Sequence, residues 1–323
     1  MKAERKSLRF NTILTIAGRS RARGSGHLQA KPSSGGRRLL ALAAAVWIVF
    51  AQPLAAADLQ PAAVAAFNRY AQLTQQQFEA DNADLNSFLW IDRLPQDRRQ
   101  AAYSEIQAGQ VFIERLETLD GGHAIDVPGG IIHHWIGTIF IPGATLSQVL
   151  SFEQDYDHQQ QYFSPNVVRS RLLAHKGSDY TVEIRFHEKK VITVVLETIH
   201  QAHYAPLNST QAWSRSWTTR VQQVDHPGEP SESLEPEGHD GGFLWRMNTY
   251  WRFEQKDGGT YIESQSVSLT RDIPTGLGWM IGSYVTSIPR ESLTFMLAAT
   301  RTAILQRILA NIRLKAVPSF EER

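Results

Sequence analysis

The chain contains no cysteine in 323 residues, so disulfides and thiol chemistry are both excluded and any fold must rest on an ordinary apolar core. Long apolar runs are also missing. The most continuous, Leu39 to Phe50, is 12 residues, well short of the roughly 20 that a membrane-spanning helix needs. Common catalytic signatures are absent: no Gly-x-Ser-x-Gly elbow occurs, and the spacing of His187, His200 and His203 fits no zinc pattern. Gly276 to Gly282 follows Pro274 rather than a strand, so it does not read as a dinucleotide fingerprint. Positive charge is scarce beyond residue 57. The first 57 residues hold ten Lys/Arg against Glu4 alone, leaving 23 bases and 31 acids in the rest. An acidic body argues against a nucleic-acid partner, because neutralising phosphates takes clustered cations.

What is present begins with a leader. Arg37-Arg38, the run to Phe50, and Leu54-Ala55-Ala56-Ala57 form a basic, apolar and small-residue succession. It predicts a secretory signal cleaved near Ala57 and a periplasmic or secreted protein. An uncleaved membrane anchor is the alternative.

Apolar residues at Val64, Phe67, Leu73 and Phe78 predict a helix over 61–79, and Leu85 to Leu94 a second one stopped by Pro95. Residues 58–130 are thus expected to form a helical extension packed on a main domain. From Trp135 the order becomes regular: a strand to Ile141, short helices at Ala144–Phe152 and Gln154–Phe163, then six strands to Thr270. Hairpin-length turns such as Lys256-Asp257-Gly258-Gly259 make the sheet antiparallel. A polar loop spans 227–242. The strands alternate: Tyr180, Val182, Ile184 and Phe186 share one face, Thr181, Glu183, Arg185 and His187 the other. In the next-to-last strand Trp245, Met247, Thr249, Trp251 and Phe253 oppose Arg246, Asn248, Tyr250, Arg252 and Glu254. An apolar face against a charged one predicts a sheet covered on one side only.

The cover is Ser287 to Lys315. Leu293, Met296, Leu297, Thr300, Ile304, Leu305, Ile308, Leu309 and Ile312 recur every three or four residues. Ser287 reads as the cap and Pro289 as a first-turn proline. Gly276 to Gly282 reads as a loop, either packed on the core through Trp279 or serving as an apolar lip.

This element order, with Thr138-Ile139-Phe140-Ile141-Pro142-Gly143-Ala144-Thr145 leading to Val149-Leu150 and Asp155-Tyr156-Asp157, resembles the START-like (SRPBCC) superfamily over 131–315. That superfamily includes polyketide cyclases, coenzyme Q-binding proteins and the birch-pollen-allergen type. The resemblance implies an α+β helix-grip fold: a seven-stranded antiparallel sheet wrapped around the C-terminal helix, with a hydrophobic cavity between. It carries over no catalytic motif, metal or cofactor.

The leading expectation is therefore a protein that binds a hydrophobic or amphipathic, lipid-like small molecule, with at most peripheral membrane contact. Candidate cavity residues are Phe186, Leu196, His200, Trp245, Met247, Trp251, Glu263, Trp279, Met296 and Thr300. The alternatives are an enzyme of the cyclase, dehydratase or hydrolase kind using His200, Tyr204 or Glu263, and an envelope module docking through its N-terminal helices. Arg169, Arg171, Arg185, Arg215, Arg220, Arg246 and Arg252 either pair with Glu183, Glu197 and Glu263 on a solvated face or turn inward toward a ligand head group. His133 and His134 read as rim histidines on opposite faces, and Asp155 and Asp157 as helix caps.

Overall fold

The structure is a computed structural model that describes residues 57–189, 193–273 and 278–316, with side chains in the last segment at 287–312. The leader, residues 274–277 and the side chain of Trp279 lie outside the described residues.

The first elements are β1 (Ala57–Asp58) and α1 (Pro61–Asn82), with proline in the first helical turn, where its missing N–H costs nothing. The predicted helix over 85–94 does not form. Asp84 instead accepts the N–H groups of Asn86 and Ser87 in a turn, and only Trp90–Arg93 coils, as a single 3₁₀ turn. Beyond Pro95 comes α2 (Gln96–Gln107), which the sequence reading passed over because Ala102 and Ile106 are its only buried residues. Next are β2 (Phe112–Arg115), β3 (Leu119–Asp120), β4 (His123–Ala124) and β5 (Gly130–Pro142). Helix α3 (Leu146–Glu153) opens with Thr145 and Gln148 capping each other reciprocally, and α4 (Gln159–Tyr162) follows a 3₁₀ turn at Tyr156–His158. The remaining elements are β6 (Val167–Lys176), β7 (Asp179–Lys189), β8 (Thr193–Pro206), β9 (Gln211–Asp225), β10 (Ser233–Leu234), β11 (His239–Asp240), β12 (Arg246–Lys256), β13 (Gly259–Arg271) and α5 (Gly278–Ala316).

The main sheet runs β2-β5-β13-β12-β9-β8-β7-β6, with β10 added beside β9, and every pairing is antiparallel. Seven long strands make up the expected grip. The short β2 and β10 raise the count among the described residues to nine.

Helix α5 is 39 residues long, and it begins at Gly278 rather than Ser287. The proposed loop is therefore helical from Gly278 onward, and Pro289 sits inside the helix, where it removes one backbone N–H from the ladder. Leu293, Leu297, Thr300, Ala303 and Ile304 are buried against Ile139, Ile141, Phe253 and Ile262 of the sheet. The three largest contribute about 1.5–3 kcal/mol each before ordering entropy is subtracted. Gly137 permits the close approach: a Cβ there would lie 2.6 Å from a Leu297 methyl. The apolar stripe outruns its partner, since Leu309 and Ile312 remain 54% and 58% exposed. Arg307 ties the far end down by an ion pair to Asp155 at 2.6 Å, so Asp155 anchors α5 rather than capping a helix. Asp157 accepts the Leu172 N–H and so links this corner to β6.

The other side of the sheet is not simply solvated. Helix α1 lays Phe67, Tyr70 and Phe78 on Trp245, Tyr250, Val267 and Leu269, while Phe88, Ile91 and Ile106 cover Phe140 and Tyr261. Under this layer, Arg252 and Glu263 form a 2.8 Å ion pair at 2% and 1% exposure. Both Glu263 oxygens accept the Trp90 N–H, and Arg252 reaches Asn82 at 2.7 Å. His134 is buried in the same layer between Tyr70 and Gln265, and burial lowers its pKa to about 3. His133, on the opposite face, is also buried and contacts Thr270 at 3.0 Å. Neither is a rim histidine.

Candidate functional site

Residues directly opposite one another in antiparallel strands point to the same face, so the register identifies everything that looks toward α5. On β13 these are Ile262, Ser264, Ser266 and Ser268, opposite Phe253, Trp251, Thr249 and Met247 of β12. Across from β12 stand Ala212, Ser214 and Ser216 of β9, and beyond them Tyr204, Ala202 and His200 of β8. Val182, Ile184 and Phe186 of β7 continue the surface, and Trp135, Gly137 and Ile139 of β5 close its other side. This inward face is of two kinds. Ile139, Ile141, Phe253 and Ile262 seal tightly against α3 and α5. Along the strands from there, serines and threonines alternate with half-buried Trp135, Trp251, Met247 and Phe186, which look across at half-buried Met296.

The candidates divide accordingly. Phe186, Leu196, His200, Met247 and Trp251 lie on the inward face, as does Tyr204, and Thr300 sits in the buried stripe of α5 with Met296 beside it. Trp245 and Glu263 do not. Trp245 precedes the first residue of β12, so strand parity does not govern it; it packs with the α1 layer and donates its indole N–H to Asp240 at 3.2 Å. Glu263 lies one residue out of phase with the inward set and holds the N-terminal layer. The alternation of the strands also settles the arginines: Arg169, Arg171, Arg185, Arg215, Arg220, Arg246 and Arg252 all fall on the outward face. Arg169 and Arg171 bond Glu183, and Arg169 and Arg185 bond Glu197. None of these seven turns inward toward a head group, and the inward register falls instead on Arg115 of β2, opposite Trp135.

His200 is buried, and its pKa is lowered to about 4 by desolvation. Its Nε2 lies 2.8 Å from the Thr198 hydroxyl, which donates its own hydrogen to the Ile184 carbonyl at 2.9 Å. The imidazole is therefore the donor in that contact, and the pair is not a base drawing a proton from a nucleophile. His187 and His203 lie on the opposite face from His200, so the three do not converge.

Sequence reasoning missed the most unusual group on this side. Glu153 ends the buried Leu146–Val149–Phe152 stripe of α3 and is 8% exposed. Desolvation raises its pKa to about 8, and its Oε1 has no hydrogen-bond partner. Nearby, the hydroxyls of Tyr156 and Tyr204 meet at 2.7 Å, with Tyr180 packed against both. Ser170, Ser264 and Thr300, also buried, have hydroxyls without partners. The signal was there in part: Glu153 is four residues past Val149 on an amphipathic helix, and Ser264, Ser266 and Ser268 repeat with the period of a strand.

No protein-family model matches the chain, and no curated protein does. Among solved structures it is similar to the protein TTHA0849 of Thermus thermophilus, with 14% identity, 53% of this chain and 97% of that one covered, and a TM-score of 0.39. It is also similar to a STAR-related lipid transfer protein fragment from Xanthomonas axonopodis, with 15% identity, coverage of 59% and 98%, and a TM-score of 0.37. The Zhui aromatase/cyclase of a Streptomyces species shows 11% identity, coverage of 55% and 96%, and a TM-score of 0.37. The fold described above stands on the strand order and register of the chain itself.

Proposed function

We propose that this protein binds a hydrophobic or amphipathic small molecule in the gap between the sheet and α5. The observation that carries the reading is a mismatch in burial. Trp135, Trp251, Met247, Phe186 and Met296 face the interior of the grip, yet remain half-buried, while neighbouring Ile139, Ile262 and Leu297 are sealed. Large apolar side chains that face inward and keep part of their surface exposed offer a lining for a ligand. The neutral, donor-type His200 contact supports binding over catalysis. Nile red, an uncharged dye, should brighten when mixed with the full chain, and Trp251→Ala should weaken its binding several-fold. A dye signal no greater than that of a ligand-free control protein would overturn the reading.

Export belongs to the same proposal and rests on the basic, apolar and small-residue leader. The intact mass of the chain recovered from its producing cells should correspond to a start near Asp58. A mass that retains Arg37 to Phe50 would contradict cleavage.

A further inference from the structure

The inward face is poor in cations: among the described strands its register falls on one, Arg115 at the exposed end of the edge strand β2 opposite Trp135, while β7, β8, β9 and β12, around Tyr204, present none. A carboxylate or phosphate held there would be a buried charge without a counter-ion, which costs several kcal/mol in practice. Of the acids that share this face, Glu188 is held at the far end of β7 by Asn166 and by Ser292 of α5. His133 and His200 are each lowered to about 4 by burial. Burial raises the pKa of Tyr156 and Tyr204, and the nearby Glu153 carboxylate adds to that rise through space. Arg307, the cation of this corner, is already committed to Asp155 and Tyr162. Glu153 itself has a buried oxygen with nothing to bond, and no cation contributes to its environment.

Resting on the binding reading above, we propose that the grip selects an uncharged amphiphile, an alkyl alcohol or ketone, whose oxygen is held by the Glu153 carboxylic acid beside the Tyr156–Tyr204 hydroxyl pair. A protonated carboxyl donates to a ketone or alcohol oxygen and can accept an alcohol proton in return. Each such bond relieves a desolvated group, so its loss is felt more than a bond exposed to water. Ser264 on the sheet and Thr300 on α5 are likewise buried with hydroxyls that have no partner. A long-chain carboxylate would meet the same acid with no cation to offset it.

The test is displacement of Nile red from the full chain at about pH 7 by a matched series: dodecanol, methyl decyl ketone, dodecanoate, dodecyltrimethylammonium and dodecane. Dodecanol and the ketone should displace the dye at concentrations about tenfold or more below dodecanoate and the ammonium ion. Glu153→Leu should cost the alcohol and ketone about tenfold and leave dodecane unchanged, while Glu153→Gln, still a neutral donor, should stay within about threefold. If Glu153→Leu does not fold, Tyr204→Phe reads the same alcohol-to-alkane ratio. Equal displacement by dodecanol and dodecanoate, or a ratio that neither variant changes, overturns the polar subsite and leaves binding in the gap intact. Failure of every member of the series to displace the dye overturns the gap reading itself.

Discussion

Replacing Arg252 with methionine is expected to lower the free energy of unfolding by about 3–5 kcal/mol, because it strands the Glu263 carboxyl in a site closed to water. The two side chains are 2% and 1% exposed and meet at 2.8 Å. Burial already pushes the Glu263 pKa up, and the guanidinium works against that rise. Arg252 is also the hub of the N-terminal layer: it bonds Asn82, approaches Asp81 at 3.5 Å, and stacks over the Phe78 ring at 4.4 Å. The single variant should therefore loosen residues 61–107 first, with faster amide exchange there than in β7 and β8. Replacing both residues, Arg252→Met with Glu263→Leu, should recover part of the loss, since apolar pairs of similar volume often match a buried ion pair. Denaturant unfolding of the three proteins checks this. A loss below about 1 kcal/mol in the single variant, or a double variant worse than the single, would show that the pair is not what holds the layer.

The second large effect is a dependence of stability on pH that belongs to Glu153. Its carboxyl keeps its proton to about 8 in the folded chain, against an ordinary value of 4.5. Between those values the unfolded chain has released a proton that the folded chain still holds. Stability therefore falls as pH rises from about 4.5 to 8 and then levels off, by up to roughly 4–5 kcal/mol at about 1.4 kcal/mol per unit. The groups facing it, Tyr156, Tyr204 and Tyr180, stay neutral across this window, their pKa values raised by burial. His133, His134 and His200 act in the opposite sense on the acid side: their lowered pKa values give stability that is lost as pH falls below 6.5 toward about 3–4. Comparing the chain with Glu153→Gln removes their contribution. The urea midpoint of the unaltered protein should fall between pH 5 and pH 8 relative to the variant. Parallel pH profiles would contradict a buried, neutral Glu153.

How much of this was readable in advance follows from where the information lies. Alternation within a strand is local, so the inward and outward sets of β7 and β12 could be assigned from the sequence alone. What covers the outward set is decided elsewhere in the chain. Arg252 and Glu263 alternate just as solvated residues would, and only the packing of α1 and the Trp90 turn makes them buried. The start of α5 was hidden because Pro289 mimics a first-turn proline and the glycines before it mimic a loop, yet the helix runs through both. Trp245 was misplaced by extending strand parity one residue past the end of β12. Glu153 was overlooked because an acid near a helix end ordinarily reads as solvated, and its burial depends on Tyr156, Tyr204 and the neighbouring strands.

The central claim is that the grip holds a removable, uncharged guest. Native mass spectrometry of the full chain, before and after extraction with organic solvent, tests it most directly. The account predicts a species heavier than the polypeptide that extraction returns to the polypeptide mass, with the released molecule carrying alcohol or ketone oxygen and no fixed charge. A bare polypeptide mass before extraction, in a protein that also leaves Nile red dark, would contradict it.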